Sequence, residues 1–213
     1  MKHVDAILAV VRALERPEEE IGSHRMNRAN ILTSLGRFEE AKDEMEACLV
    51  IFRNDPTRRA RTLSPLAELF SKQGDLPQAI ALERCALAIR EQLSDPNDRS
   101  ISHGNLATYL EWRGRPADRA ESTLHQLAGL VYLFAAGLGK NLQTSWDNYA
   151  AQFRRAHAAR AELNMPSLVE LLTDPAFWAL EEWLRGRGVE VVDLQETVDQ
   201  FLKSARQAAL AAE

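Results

Sequence analysis

Four stretches of this chain align with one another without a gap. A chain that repeats itself folds as a row of similar units, each covering its neighbour's apolar face. The stretches are Met26-Asn27-Arg28-Ala29, Ser64-Pro65-Leu66-Ala67, Gly104-Asn105-Leu106-Ala107 and Asp147-Asn148-Tyr149-Ala150. Three residues after each Ala stands an apolar residue: Leu32, Phe70, Leu110 and Phe153. Seven residues after the Ala stands a glycine in the first three units, Gly36, Gly74 and Gly114, whereas the fourth has His157 there. The spacing is helical, so each stretch predicts one buried stripe, with the Ala allowing a second helix to approach closely. The glycine predicts the end of that helix, in a left-handed conformation that other residues adopt at a cost. A second helix follows in each unit, from Arg37-Phe38-Glu39-Glu40-Ala41, Asp75-Leu76-Pro77-Gln78-Ala79 and Arg115-Pro116-Ala117-Asp118. Asp75 suits an N-cap, and Pro77 and Pro116 suit a first helical turn.

The stretch from Gly74 to Arg90, with Ala79 and Ala86 at the small packing positions, resembles the second half of a tetratricopeptide repeat. The period of roughly 40 residues is similar to that of the kinesin-light-chain type, with its longer second helix. Asp55-Pro56 and Asp95-Pro96 resemble the turns between such repeats. The resemblance runs from about Ser23 to Ala161 and implies an all-α fold, a right-handed superhelix of stacked helical hairpins with terminal capping helices. The expected division is residues 1–22 as an N-terminal capping helix, 23–161 as about four repeats and 162–213 as a C-terminal helical cap.

Outside the repeats, Lys2 to Leu14 predicts an amphipathic helix with Val4, Ile7, Leu8, Val11 and Leu14 on one side. The Glu18-Glu19-Glu20 run suits a helix start. Three helices are expected in the C-terminal part: Pro166 to Leu172, Asp174 to Arg185, and Val191 to Ala212 with Val192, Leu194, Val198, Phe201 and Leu202 as its buried stripe. Trp178 and Trp183 lie five residues apart and point to different faces, so one is expected to pack and the other to be more exposed. Leu127 to Leu138 is too short to span a membrane and predicts a buried helix. Gly137-Leu138-Gly139-Lys140 lacks the rest of a phosphate loop and predicts a helix break. Val189 to Val192, the best strand candidate, is too short to build a sheet.

A formal net charge of −5 disfavours nucleic acid, which requires a basic surface. Basic clusters at Arg53, Arg58, Arg59, Arg61 and at Arg154, Arg155, His157, Arg160 predict solvated faces. Cys48 and Cys85 lack paired spacing and are expected to be reduced and buried. No secretory or membrane segment is apparent, and the chain is expected in the cytoplasm. His3, His24, His103, His125 and His157 show no metal-ligand spacing, and no nucleophile or acid/base pattern stands out. The expectation is therefore a binding protein, not an enzyme, with neither metal nor cofactor.

The resemblance implies that the first helix of each repeat lines a concave groove, and that the position before the packing pair faces it. Here that position carries Asn27, Pro65, Asn105 and Asn148. An amide both donates and accepts, so asparagines there can hold an extended peptide backbone, and Pro65 interrupts the series. Further along the same helices lie Asn30, Glu68, Thr108 and Ala151, then Ser34, Lys72, Trp112 and Arg155; Arg61 lies a turn earlier in the second repeat. The candidate groove residues are thus Asn27, Asn30, Arg61, Lys72, Asn105, Trp112, Asn148 and Arg155. Such a groove suits a peptide with an acidic group and an apolar anchor. The expected partner is a protein or a peptide, with no membrane. The alternative is an assembly module that oligomerises or docks in a larger complex through the C-terminal helices.

Overall fold

The computed structural model describes residues 2–13, 17–93, 95–138, 142–158, 163 and 165–211. Among these the regular structure is entirely helical. The chain divides into two units, Met1–Leu93 and Ser94–Glu213.

Unit 1 holds α1 (Lys2–Ala13), α2 (Glu18–Ser34), α3 (Phe38–Ile51), α4 (Pro56–Lys72) and α5 (Leu76–Glu91). Helices α2 and α3 form one hairpin and α4 and α5 the next. The same turn closes both first helices. Gly36 and Gly74 sit at φ 73° and 84°. The Arg37 N–H then reaches back to the Leu32 carbonyl, and the Asp75 N–H to the Phe70 carbonyl, both at 2.9 Å. This geometry satisfies end carbonyls that the helix itself leaves open. Asp55 and Asp75 cap α4 and α5, each accepting an N–H three residues on, from Arg58 and Gln78. Ala29, Leu32, Ala41, Met45, Leu66 and Leu69 form the core, and the repeat alanines Ala29, Ala67 and Ala79 are fully enclosed. Pro65 lies inside α4, which runs on through it. A polar group is also buried there: the Ser64 hydroxyl donates to Glu83 Oε1 at 2.9 Å, and Arg90 Nη1 lies 3.3 Å from the same oxygen.

Unit 2 holds α6 (Pro96–Arg113), α7 (Pro116–Ala135), α8 (Leu142–Ala158), α9 (Leu168–Thr173), a 3-10 turn (Pro175–Phe177), α10 (Trp178–Gly186) and α11 (Val191–Ala211). Helices α6 and α7 form the third hairpin, joined at Gly114 with φ 69°. The Ser122 hydroxyl ties them by donating to the Ala107 carbonyl at 2.8 Å. The apolar stretch of α7 is enclosed from Leu127 to Leu133, and the helix breaks at Gly137 as expected; Gly139 and Lys140 lie outside the described residues. Helix α8 runs through His157, which offers no left-handed stop, and it packs against α11 from the end of the chain. Arg206 of α11 fastens that contact: its Nε donates to the Tyr149 hydroxyl at 2.6 Å, and its Nη2 to the Leu163 carbonyl. Burial raises the Tyr149 phenol above its ordinary value, and the Arg206 contact opposes that rise. Trp183 packs on Tyr132 with ring centroids 4.9 Å apart, while Trp178 is exposed, so the two tryptophans part as expected.

Three expectations are corrected. Val192 is 78% exposed and does not join the α11 stripe. It precedes Leu194 by two residues, about 200° around a helix, and Leu194, Val198, Leu202, Ala205 and Ala209 face the core instead. Ile7 of α1 is also exposed. The side chains of Val4, Leu8 and Val11, and the whole of Leu14, lie outside the described residues. Cys48 is buried, donating to the Gly22 carbonyl at 3.3 Å, and burial pushes its thiol up to about 11. Cys85, by contrast, is exposed, because the inward stripe of α5 runs through Ala79, Ile80, Glu83, Ala86, Leu87 and Arg90.

Candidate functional site

Three of the residues expected to bind a ligand meet around one cavity in unit 2. Trp112 on α6 and Asn148 and Arg155 on α8 line it, together with Thr108 and Ala151 from the same helical rows. The hairpin brings α6 beside α7, and α8 packs along α7, so α7 supplies the floor with Ser122, Gln126 and Gly129. Gly129 lets α7 approach α6 closely: a Cβ there would lie 3.4 Å from the Ser100 carbonyl oxygen. Trp112 is 59% exposed with its ring against Tyr109, centroids 6.2 Å apart. An exposed indole beside a cleft offers a large apolar face at little entropic cost.

Arg155 crosses the cleft. Its Nε and Nη2 both donate to Glu111 Oε1, at 2.9 and 2.6 Å, joining α8 to α6. On the far side of this bridge lies a second cavity of roughly 520 Å³. Leu110, Gly114, Arg115, Pro116, Arg119, Ala156 and Leu163 line it, and it shares Glu111, Ser122, Gln152 and Arg155 with the first. At its edge Arg113 holds Asp118 in a two-pronged contact of 2.7 and 2.6 Å. The Arg113 hydrogen bonds keep the Asp118 carboxyl below its ordinary value, and the Arg115 N–H adds to this at 3.2 Å.

Two amides on this surface are unsatisfied within the protein. Gln126 Oε1 and Gln152 Oε1 are buried and have no hydrogen-bond partner among the described residues. Gln152 as a whole is only 8% exposed. A buried polar atom left without a partner costs about 1–3 kcal/mol, so folded proteins rarely leave one without a hydrogen bond to protein, water or ligand. Sequence reasoning passed over both, together with Glu111. Gln152 follows Ala151, a position the repeat alignment did assign to the groove. Gln126 precedes the apolar run of α7, and no spacing rule singles it out.

The other expected residues lie elsewhere. Asn105 is half-buried on α6 and does not line either cavity. Unit 1 carries Asn27 and Asn30 on α2 and Arg61 and Lys72 on α4, all four exposed, with Lys72 Nζ 2.8 Å from Glu68.

Two histidines meet in the core of unit 2. His103 on α6 and His125 on α7 face each other through Nδ1, 2.8 Å apart, under Phe177 of the 3-10 turn. Burial, aided by His125 and Arg99, holds His103 well below its ordinary value. At such a contact one nitrogen donates and the other accepts. Among the described residues no group of three or more His, Cys, Asp or Glu is placed to hold a metal ion, and no helix is long and apolar enough to cross a membrane.

Residues 20–92 match the family model described as tetratricopeptide repeat, which covers α2 to α5. No curated protein matches the chain.

Proposed function

We propose, from the premise that this is a tetratricopeptide-repeat protein, that it is a non-catalytic adaptor holding a peptide or flexible segment of a partner protein in the cleft between α6 and α8. Tetratricopeptide repeats mediate protein–protein interaction, which sets the partner class. The observation that carries the reading is the pair of buried, unpartnered amide oxygens of Gln126 and Gln152. An extended peptide brings N–H groups that side-chain amides can accept, without reading its sequence. Trp112 on the rim supplies the apolar anchor, and Asn148 an exposed amide. By the repeat alignment, Asn105 on α6 and, in unit 1, Asn27, Asn30, Arg61 and Lys72 are proposed to contact peptide by the same chemistry.

The test is selection of binders from a random displayed-peptide library, followed by titration of the selected peptides. Trp112→Ala is expected to weaken them at least tenfold and Asn148→Ala severalfold, with unchanged helicity. Selected peptides that bind both variants as tightly as the wild type overturn the assignment.

A second reading, assembly through the C-terminal helices, rests on Val169 of α9 and Val192 of α11. Both are well exposed and line one shallow cavity with Val191. Sedimentation of the wild type against Val169→Ser/Val192→Ser decides it. Concentration-dependent association lost in the variant supports this reading, and a wild-type monomer at high concentration removes its self-association form.

A further inference from the structure

We infer that the face where α9 meets the start of α11 docks a basic amphipathic helix from a partner protein. The inference lies outside the cleft; it rests on the second reading above, that this face makes assembly contacts, and names the kind of partner. Val169 of α9 and Val192 of α11 are 64% and 78% exposed and line one shallow groove with Val191. A second shallow groove adjoins it, sharing Val169 and Val191 and running on between α9 and α10 past Leu172 and Val189. Single exposed valines are ordinary on a protein surface, whereas a continuous apolar strip with a polar rim marks a contact face. Here the rim is acidic. From Val189 to Leu202 the chain carries Glu190, Asp193, Glu196 and Asp199 and no lysine or arginine. Glu196 and Asp199 line the groove beside the valines. Their hydrogen-bond partners are neutral: Gln200 Nε2 donates to Glu196 Oε1 at 3.4 Å, and Gln195 Nε2 to Asp199 Oδ1 at 2.8 Å. Neither carboxylate makes an ion pair with a described residue. Of the cations along the strip, Arg185 is engaged by Glu181, and Lys203 stands at the far end.

Length and charge choose the occupant. Val192, Glu196, Asp199 and Lys203 follow one another at helical spacing, so the groove tracks one face of α11 for about three turns, roughly 16 Å. A partner helix of three to four turns covers that length and lays its apolar row, at every third or fourth position, over the valines. Lysines or arginines flanking the row then meet Glu196 and Asp199, whose charge no described cation offsets. Complementary charge of this kind fixes the register and speeds the encounter. A second copy of this chain fits the face less well. A two-fold contact sets Glu196 and Asp199 near the same residues of the other copy, and like charges oppose it.

Three labelled fourteen-residue peptides serve as probes. One is an amphipathic helix with a leucine row flanked by lysines, one is the same helix with glutamates for the lysines, and one has the first peptide's composition in an order without helical periodicity. Each is titrated with the wild type, Val169→Ser/Val192→Ser, Glu196→Gln/Asp199→Asn and Trp112→Ala. Val169, Val192, Glu196 and Asp199 are all exposed, so the fold should survive their replacement, which far-UV circular dichroism checks. The basic amphipathic peptide is expected to bind the wild type about tenfold more tightly than either of the others. Val169→Ser/Val192→Ser weakens it about tenfold. Glu196→Gln/Asp199→Asn weakens it severalfold and flattens its dependence on salt, and Trp112→Ala leaves it unchanged. Equal binding of the basic and acidic helices, or of the periodic and reordered basic peptides, overturns the proposal. Binding that survives the valine or carboxylate substitutions, or that Trp112→Ala abolishes, overturns it too. If no peptide binds the wild type, the helical partner is overturned, and sedimentation separates the two readings. Self-association lost in Val169→Ser/Val192→Ser then keeps the assembly reading with a second copy on this face, and a wild-type monomer removes that form as well.

Discussion

Replacing Gly22 by alanine should destabilise unit 1, although alanine is the better helix former. Gly22 is buried in α2, and a Cβ there would lie 2.5 Å from Phe52 Cζ, 2.7 Å from Phe52 Cε1 and 3.1 Å from Ile51 Cγ2. Carbon atoms pack comfortably at about 3.5–4.0 Å, so the ring must retreat by roughly 1 Å. It has little room, since Phe52 is only 4% exposed and the Arg58 guanidinium lies over it at 5.3 Å. Glycine to alanine inside a helix gains about 1 kcal/mol, while overpacking of a core costs about 1–3 kcal/mol. The expected balance is a net loss of about 1 kcal/mol. Gly104→Ala in α6 is the internal control, because its Cβ would meet nothing within 4 Å and the helical gain stands alone. Urea unfolding followed by far-UV circular dichroism reads both variants. Tryptophan fluorescence reports unit 2 alone, since Trp112, Trp146, Trp178 and Trp183 all lie there. Phe52→Leu gives the ring space, so Gly22→Ala should cost less in that background than in the wild type, a coupling the double-mutant cycle measures. A Gly22→Ala protein that unfolds at or above the wild-type midpoint would refute the reasoning, because the close approach of α2 to the end of α3 would then not be a packed contact.

Two further outcomes follow from buried polar groups. Burial holds the His103 value in the fold below its unfolded one, so between these values the unfolded chain binds more protons and stability rises with pH. Unit 2 should lose stability as the pH drops below about 6.5, with His125, Arg99 and Glu121 as the charged or titratable neighbours; a tryptophan-monitored midpoint that does not move between pH 7.5 and 5.5 would contradict this. In unit 1, Glu83→Ala removes the acceptor that Ser64 and Arg90 share and should cost about 3 kcal/mol in urea unfolding, whereas a loss below about 1 kcal/mol would mean the buried pair contributes little.

The repeat itself was legible residue by residue. Ala29, Ala67, Ala107 and Ala150 are buried, Gly36, Gly74 and Gly114 take the left-handed turn, and Asp75 caps the helix that follows it. These are local matters: a small residue between helices, a backbone conformation only glycine takes cheaply, and a carboxylate reaching an N–H within its own turn. Trp112, Asn148 and Arg155 were legible for the same reason, since equivalent positions in a repeat share a face. What surrounds them depended on which helices meet. Gln126, Gln152 and Glu111 become one surface only when α7 floors the space between α6 and α8, and no periodicity along one helix records that. The partner of α8 is α11, more than thirty residues away in the chain, fixed by Arg206 reaching Tyr149 and Leu163. His103 and His125, each unremarkable on its own helix, become a buried pair because the hairpin sets their rings opposite each other and Phe177 closes over them. The sequence by itself thus determined the repeat helices and the turns that end them, because those follow from neighbours within a turn or two. The tertiary structure decided the cleft, the buried histidines and the exposure of Val192 and Cys85, because burial is a property of the whole packing and not of any one helix.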